Sequence, residues 1–228
     1  MDALIFDFDG VVVDSEPMHL AGFQQVLQSV GIEMSADEYY TKYLGYDDHD
    51  CLKIASEDKG RPLGEKQIAE LTEKKTRLVQ QMIRESIKPL PGSVELIRAA
   101  HDAGIPLAIC SGALGDEVRL ASDCIGVLEC FQVITPAEDV TAGKPDPEGY
   151  RLTLERLRKY HAQPLEPQRC VVVEDSPAGI QSARSAGMNV LAVETSYPPD
   201  ALQAAARIVH RLTDVTLEDV KELASGEE

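Results

Sequence analysis

Asp7, Asp9, Ser111, Lys144, Glu174 and Asp175 are the residues of this sequence whose types could do chemistry together. Each cluster is ambiguous alone. Asp7-Phe8-Asp9-Gly10 could be a solvated turn held by an Asx hydrogen bond. Glu174-Asp175-Ser176-Pro177 could simply open a helix, whose N-terminal dipole favours acids. Gathered in one place, however, the four carboxylates would repel one another, by on the order of 4 kcal/mol per pair at ~4 Å and an effective dielectric near 20. A hard divalent cation removes that penalty, and an oxygen-only donor set without His or Cys favours Mg²⁺ over zinc. The cation and the Lys144 ammonium would then attract a phosphate, with Ser111 and nearby backbone amides donating to its oxygens. One carboxylate beside that phosphate can act as the nucleophile, and one two residues on can protonate the leaving oxygen and later accept a proton from water.

The elements that must position these residues are legible as short apolar runs that each end at a polar cluster. Leu4 to Phe6 ends at Asp7, Pro106 to Cys110 at Ser111, and Cys170 to Val173 at Glu174. Phe131 to Ile134 leads through a loop to Gly143-Lys144-Pro145. Asn189 to Val193 and Arg207 to Val209 are further strand candidates, the second at an edge. Helical spacing over 93–103, 116–125, 147–160 and 178–186 separates the runs. Strand, loop and helix in alternation predict a doubly wound α/β fold with a mostly parallel sheet, which binds ligands at the carboxyl ends of its strands.

Residues 15–87 break that rhythm. Leu20, Phe23, Val26, Leu27 and Val30 fall at helical spacing, as do Ile68, Leu71, Leu78 and Met82, and Ser35 to Glu38 has the form of a capping box. The expectation is an all-helical domain of residues 15–87 inserted after the first strand of an α/β core made of residues 1–14 and 88–228. Ser225 to Glu228 read as a frayed end.

Composition narrows the setting. A formal net charge of −17 argues against nucleic acid or an anionic membrane as partner. No stretch approaches the roughly 20 apolar residues of a membrane span, and the first residues, MDALIFDFDG, do not read as a signal peptide. A cytoplasmic monomer acting on a small-molecule phosphate ester is the expectation. The five cysteines are scattered without CxxC spacing and read as small buried apolar side chains rather than a disulfide framework or zinc site.

In order and spacing, Asp7-Phe8-Asp9-Gly10-Val11, Cys110-Ser111-Gly112, Gly143-Lys144-Pro145-Asp146-Pro147 and Val173-Glu174-Asp175-Ser176-Pro177-Ala178-Gly179-Ile180 resemble the four motifs of the haloacid dehalogenase superfamily. Asp14 to His19 and the long fourth motif are most similar to its β-phosphoglucomutase-like branch. The resemblance implies a Rossmann-like core and a helical cap of the C1 type, which would move over the core to admit substrate. It implies Asp7 as nucleophile and Asp9 as general acid and base. Ser111, Gly112 and Lys144 would bind the phosphoryl group. Mg²⁺ would be held by Asp7, the Asp9 carbonyl and Asp175, with Glu174 close by. His19 and Lys75 would be cap residues able to meet substrate. The founding dehalogenases lack the equivalent of Asp9, so its presence points to phosphate rather than carbon–halogen chemistry.

The departures from the branch matter for the acceptor. Its mutases carry an arginine in a cap loop that here reads Gly45-Tyr46-Asp47-Asp48-His49-Asp50, and a lysine after the second-motif serine, where this chain has Gly112-Ala113-Leu114. An acidic loop would repel a bisphosphate, so a phosphatase is expected before a sugar phosphomutase. A glycosidase using Asp7 and Asp9 would leave Lys144 and Glu174/Asp175 without a role, and a silent scaffold would be expected to have lost a motif member. Read from the residues alone, His19 also fits a structural histidine, Lys75 a solvated helix face, and Tyr39, Tyr40, Tyr43 and Tyr46 the core of the helical domain.

Overall fold

Strand β1, Ala3–Phe6, is buried along its whole length, as an apolar run flanked by polar turns demands. In the computed structural model, which describes residues 1–225, the chain continues through helices α1 (Glu16–Gln28), α2 (Ala36–Glu38), α3 (Asp48–Asp58) and α4 (Glu65–Ser86). It then alternates through α5 (Ser93–Asp102), β2 (Leu107–Cys110), α6 (Gly115–Cys124), β3 (Val133–Thr135), α7 (Glu148–Arg158), β4 (Cys170–Glu174), α8 (Pro177–Ser185), β5 (Asn189–Val193), β6 (Arg207–Val209) and α9 (Leu217–Ser225). Ser225 closes α9, and the fraying expected of residues 226–228 lies outside the described residues. Two units result: Met1–Asp14 with Ile87–Glu228, and Ser15–Ser86. No helix among the described residues is long and apolar enough to cross a membrane.

The first unit is built on a parallel sheet in the order β3-β2-β1-β4-β5-β6. β1 is flanked by β2 on one side and β4 on the other, with Phe6 opposite both Ile109 and Val173. The strand order reverses direction at β1, and such a switch point leaves a crevice at the carboxyl ends of the strands. The ladders extend past the strand ends: Asp7 N donates to the Val173 carbonyl at 2.9 Å and Ser111 N to the Thr135 carbonyl at 3.0 Å. The backbones of two candidate residues are thereby held by the sheet itself. Below them, Ile5, Ala108, Val172, Val190, Tyr150, Leu154 and Ile180 share one packed core. β3 begins at Val133, two residues later than the apolar run at Phe131 suggests, and β6 is the edge strand expected.

The second unit is helical throughout its regular elements. Phe23, Val26 and Leu27 of α1 pack with Tyr39, Tyr43, Leu52, Ile68 and Leu71. Both bonds of the Ser35–Glu38 capping box form, yet α2 is a single turn that passes into a wider π-helical turn over Tyr39–Tyr43. That turn buries Tyr39 and Tyr43 while Tyr40 and Tyr46 stay exposed, so only half of the tyrosines expected in the core are there. The fully buried seam of α4 runs Ile68, Leu71, Lys75, Val79, Ile83; Leu78 is half-buried and packs against the same core, and Met82 is half-buried. A lysine in the middle of the seam disguised it.

Candidate active site

Asp7 follows β1 directly, and its carboxylate, that of Glu174 at the end of β4 and that of Asp175 each offer an oxygen within 4.8 Å of the others. All three residues are buried. Lys144 Nζ lies between two of them, 2.8 Å from Asp7 Oδ1 and 2.6 Å from Glu174 Oε1. Three strand-end clusters recognised in the sequence therefore meet. Ser111 sits at the end of the neighbouring strand β2, buried, with its Oγ accepting from Ala113 N at 2.9 Å. Gly112 beside it is exposed, with open space where a side chain would be. Asp9 is half-buried, outside the close trio yet near enough for its charge to act on Asp175.

Two glycines make the approach possible. Gly10 turns the chain with φ +78°, and a Cβ there would lie 1.9 Å from Asp175 Oδ2. A Cβ on Gly179, in the first turn of α8, would lie 1.7 Å from Glu174 Oε1. Glu174 is thus backed against a helix N-terminus, where the dipole favours its charge. Its Oε2 accepts from Asp175 N, Ser176 N and Ser176 Oγ at 3.0, 3.1 and 3.0 Å, while Oε1 accepts from Lys144 and, at 2.8 Å, from the Tyr150 hydroxyl.

Electrostatics separate the three acids. Burial pushes the Asp7 carboxyl well above the usual carboxylate range, against the pull of Lys144. Burial also raises Asp175, to about 6, although Ser196 donates to its Oδ2. Burial acts on Glu174 as well, but Lys144 and the hydrogen bonds it receives from Lys144, Tyr150 and Ser176 hold it below its ordinary value. Lys144 is raised, since Asp7 and Glu174 outweigh the cost of its burial. Three carboxylates against one ammonium leave the cluster short of positive charge. An oxygen-only donor set with that deficit fits a hard divalent cation. Because both Glu174 oxygens are engaged by donors, Asp7 and Asp175 are the better placed to hold it.

Tyr150 and Ser196 belong to this site and do not stand out in the sequence. Tyr150 lies on α7, one apolar-face residue among several, with Lys144 Nζ 5.2 Å from its ring centroid. Ser196 follows β5, and the rule that ligands gather at strand ends could have found it.

The second unit holds the other candidates. Lys75 is 1% exposed, which overturns the solvated-face reading. Its Nζ is 2.6 Å from Asp48 Oδ1, 2.6 Å from His19 Nδ1 and 4.7 Å from the centroid of the Phe23 ring. Burial, with Lys75 beside it, pushes His19 down to about 3, so the imidazole is neutral. The acids of the 45–50 loop are used locally. Asp47 caps α3 by accepting from Asp50 N at 2.8 Å, and Asp48 neutralises Lys75. Asp47, His49 and Asp50 also lie close enough to hold a metal, but His49 pairs with Asp50 and Glu65 at the surface. Cys51, Cys110 and Cys170 are buried as expected, Cys124 is exposed, and all five cysteines are free thiols.

The family model for haloacid dehalogenase-like hydrolases matches residues 4–193. Hexitol phosphatase A of Escherichia coli is 32% identical over 216 residues, covering 93% of this chain and 92% of that protein. A phosphorylated carbohydrates phosphatase of Thermotoga maritima is 30% identical over 189 residues, covering 82% of both. The crystal structure of β-phosphoglucomutase from Clostridium difficile matches the fold with a TM-score of 0.80 at 22% identity, over 99% of this chain and 97% of that one.

Proposed function

We propose that this chain, which belongs to the haloacid dehalogenase-like hydrolase family, is a Mg²⁺-dependent phosphatase of small phosphorylated carbohydrates that works through an aspartyl-phosphate. The observation that carries the proposal is the cluster of Asp7, Glu174 and Asp175 around one lysine at the switch point of the sheet. Asp7 is the nucleophile: its carboxylate oxygen bonds to phosphorus as the ester oxygen leaves. Asp9 gives that oxygen its proton, then takes a proton from the water that attacks the aspartyl-phosphate, releasing inorganic phosphate and restoring both acids. Lys144 and Ser111, with the Gly112 amide, hold the phosphoryl oxygens. Asp7, Asp175 and the Asp9 carbonyl would hold Mg²⁺, which supplies positive charge to those oxygens. Glu174, saturated with donors, orients Lys144 rather than reacting.

Water is favoured over a second sugar hydroxyl as acceptor because the relatives at 30% and 32% identity are named as phosphatases. The acids of the 45–50 loop are engaged locally, Asp47 as the cap of α3, Asp48 with Lys75 and Asp50 with His49, so the choice of acceptor rests on the relatives rather than on that loop. Turnover of p-nitrophenyl phosphate and of a panel of phosphorylated carbohydrates, with Mg²⁺ and then EDTA, tests the proposal. Activity lost with EDTA and regained with Mg²⁺ is expected. Metal-independent turnover, or none from folded protein, contradicts it, and conversion of β-glucose 1-phosphate to its isomer would move the assignment to a mutase.

A further inference from the structure

Lys144 carries its charge at the end of a flexible four-carbon stem, so the loop that bears it fixes the ammonium only in part. The loop itself is tied down. Glu148, at the start of α7, accepts from Thr141 N, Thr141 Oγ and Ala142 N at 3.1, 2.9 and 2.9 Å. The Asp146 carbonyl accepts from Ser182 Oγ of α8 at 2.6 Å. What remains to be set is the ammonium, and Tyr150 stands beside it. Tyr150 follows Gly149, where a Cβ would lie 3.0 Å from Cys110 Sγ, so the first turn of α7 comes close to the end of β2. The Tyr150 side chain is fully buried. Its hydroxyl donates at 2.8 Å to Glu174 Oε1, the same oxygen that accepts from Lys144 Nζ at 2.6 Å, and its ring centroid lies 5.2 Å from that Nζ.

A phenylalanine would fill the same core position without the desolvation cost of a buried hydroxyl. Here that cost is offset by a hydrogen bond to a carboxylate, which is stronger than one between neutral groups. The bond also has a geometric consequence. Glu174 Oε2 is held by Asp175 N, Ser176 N and Ser176 Oγ, and Tyr150 anchors Oε1, so the carboxylate is fixed at both oxygens. Lys144 Nζ is thereby held where it reaches Glu174 Oε1 and Asp7 Oδ1 together, with the face of the Tyr150 ring within cation–π range. We infer that Tyr150 is a positioning residue for phosphoryl transfer: through the Glu174 carboxylate and through its ring, it aims the Lys144 ammonium at the phosphoryl group carried on Asp7. It acts through Lys144 and is not itself a reacting group. The inference rests on the phosphatase reading and deepens it.

Tyr150→Phe removes the hydroxyl and keeps the ring, so the core stays filled. A displaced ammonium costs the transition state more than the bound ester, because charge redistributes over the phosphoryl oxygens as the bond to phosphorus breaks. With saturating Mg²⁺ and well below the unfolding temperature, kcat for p-nitrophenyl phosphate should fall about fivefold or more in Tyr150→Phe. The KM for the ester, and the Mg²⁺ Kd by calorimetry, should stay within about twofold of the starting protein, since the hydroxyl acts on neither binding step. A hydroxyl that only stabilised the core would shift the urea midpoint and leave kcat unmoved. A smaller loss of kcat overturns the inference. So does a KM or Mg²⁺ Kd that rises along with the loss, which would mark a general loosening of the cluster. Either result leaves the phosphatase reading standing, whereas no Mg²⁺-dependent hydrolysis of p-nitrophenyl phosphate by the folded starting protein overturns both.

Discussion

Lys144 and Lys75, one in each unit, are placed in similar ways: each has an aromatic ring within about 5 Å of its ammonium and a carboxylate oxygen within hydrogen-bonding distance. They differ in what else surrounds them. Lys75 faces one carboxylate, Asp48, and a neutral imidazole, so its cluster closes with no net charge. Lys144 faces Asp7 and Glu174, with Asp175 alongside, and its cluster remains short of positive charge even with the lysine in place. Burying a balanced pair is tolerable, whereas burying like charges together raises their pKa values until a cation arrives. Burial first, and the neighbouring carboxylates after it, raise both Asp7 and Asp175. A charge cluster that closes on itself is thus architecture, and one left open is a candidate site.

That contrast can be broken most sharply at Lys144. Lys144→Met removes the ammonium shared by Asp7 and Glu174 and should lower kcat/KM on p-nitrophenyl phosphate by about 10²–10³-fold or more. A loss of only a few-fold would return Lys144 to a structural role. The closed cluster should register in stability. Asp48→Asn and Lys75→Met should each cost about 2–4 kcal/mol in urea unfolding, with Asp48 partly exposed and so below the full value for a buried pair. The double variant should cost at least about 1 kcal/mol less than the sum. Strict additivity would mean that the two charges do not interact.

The third test uses His19. Its pKa is about 3 in the folded chain against an ordinary value of 6.5, so protonation favours the unfolded state. Its contribution is complete above pH 6.5 and is lost as pH falls from 6.5 towards 3. Between pH 7 and 4.5 the starting protein should lose about 2 kcal/mol more than His19→Asn, with partial exposure of the ring discounting the full shift. Parallel pH profiles would contradict a neutral His19. Ser196→Ala should have the smallest effect, a few-fold weaker Mg²⁺ affinity by calorimetry as Asp175 loses its donor.

Much of the candidate site could be read in the sequence because its residues lie where short apolar strands stop. Asp7, Ser111, Lys144, Glu174 and Asp175 each follow or close such a run or its loop, and a parallel sheet carries all of those ends to one rim. Tyr150 was hidden because the direction in which a helical tyrosine points depends on what packs above it. Lys75 misled for the opposite reason. Its type argues for solvent while its spacing with Ile68, Leu71, Val79 and Ile83 argues for the core, and the Asp48 that resolves the conflict is 27 residues away. The one-turn α2 followed by a π turn over Tyr39–Tyr43 likewise yields no periodic signal that separates the buried Tyr39 and Tyr43 from the exposed Tyr40.

The measurement that tests the account most directly is mass spectrometry of peptides from protein quenched in acid during turnover of a phosphate ester with Mg²⁺. A phosphoryl group on the peptide containing Asp7, absent with EDTA and absent in Asp7→Asn, is the predicted result. A phosphoryl group on another residue, or its persistence in Asp7→Asn, would contradict the assignment of the open cluster as the seat of phosphoryl transfer.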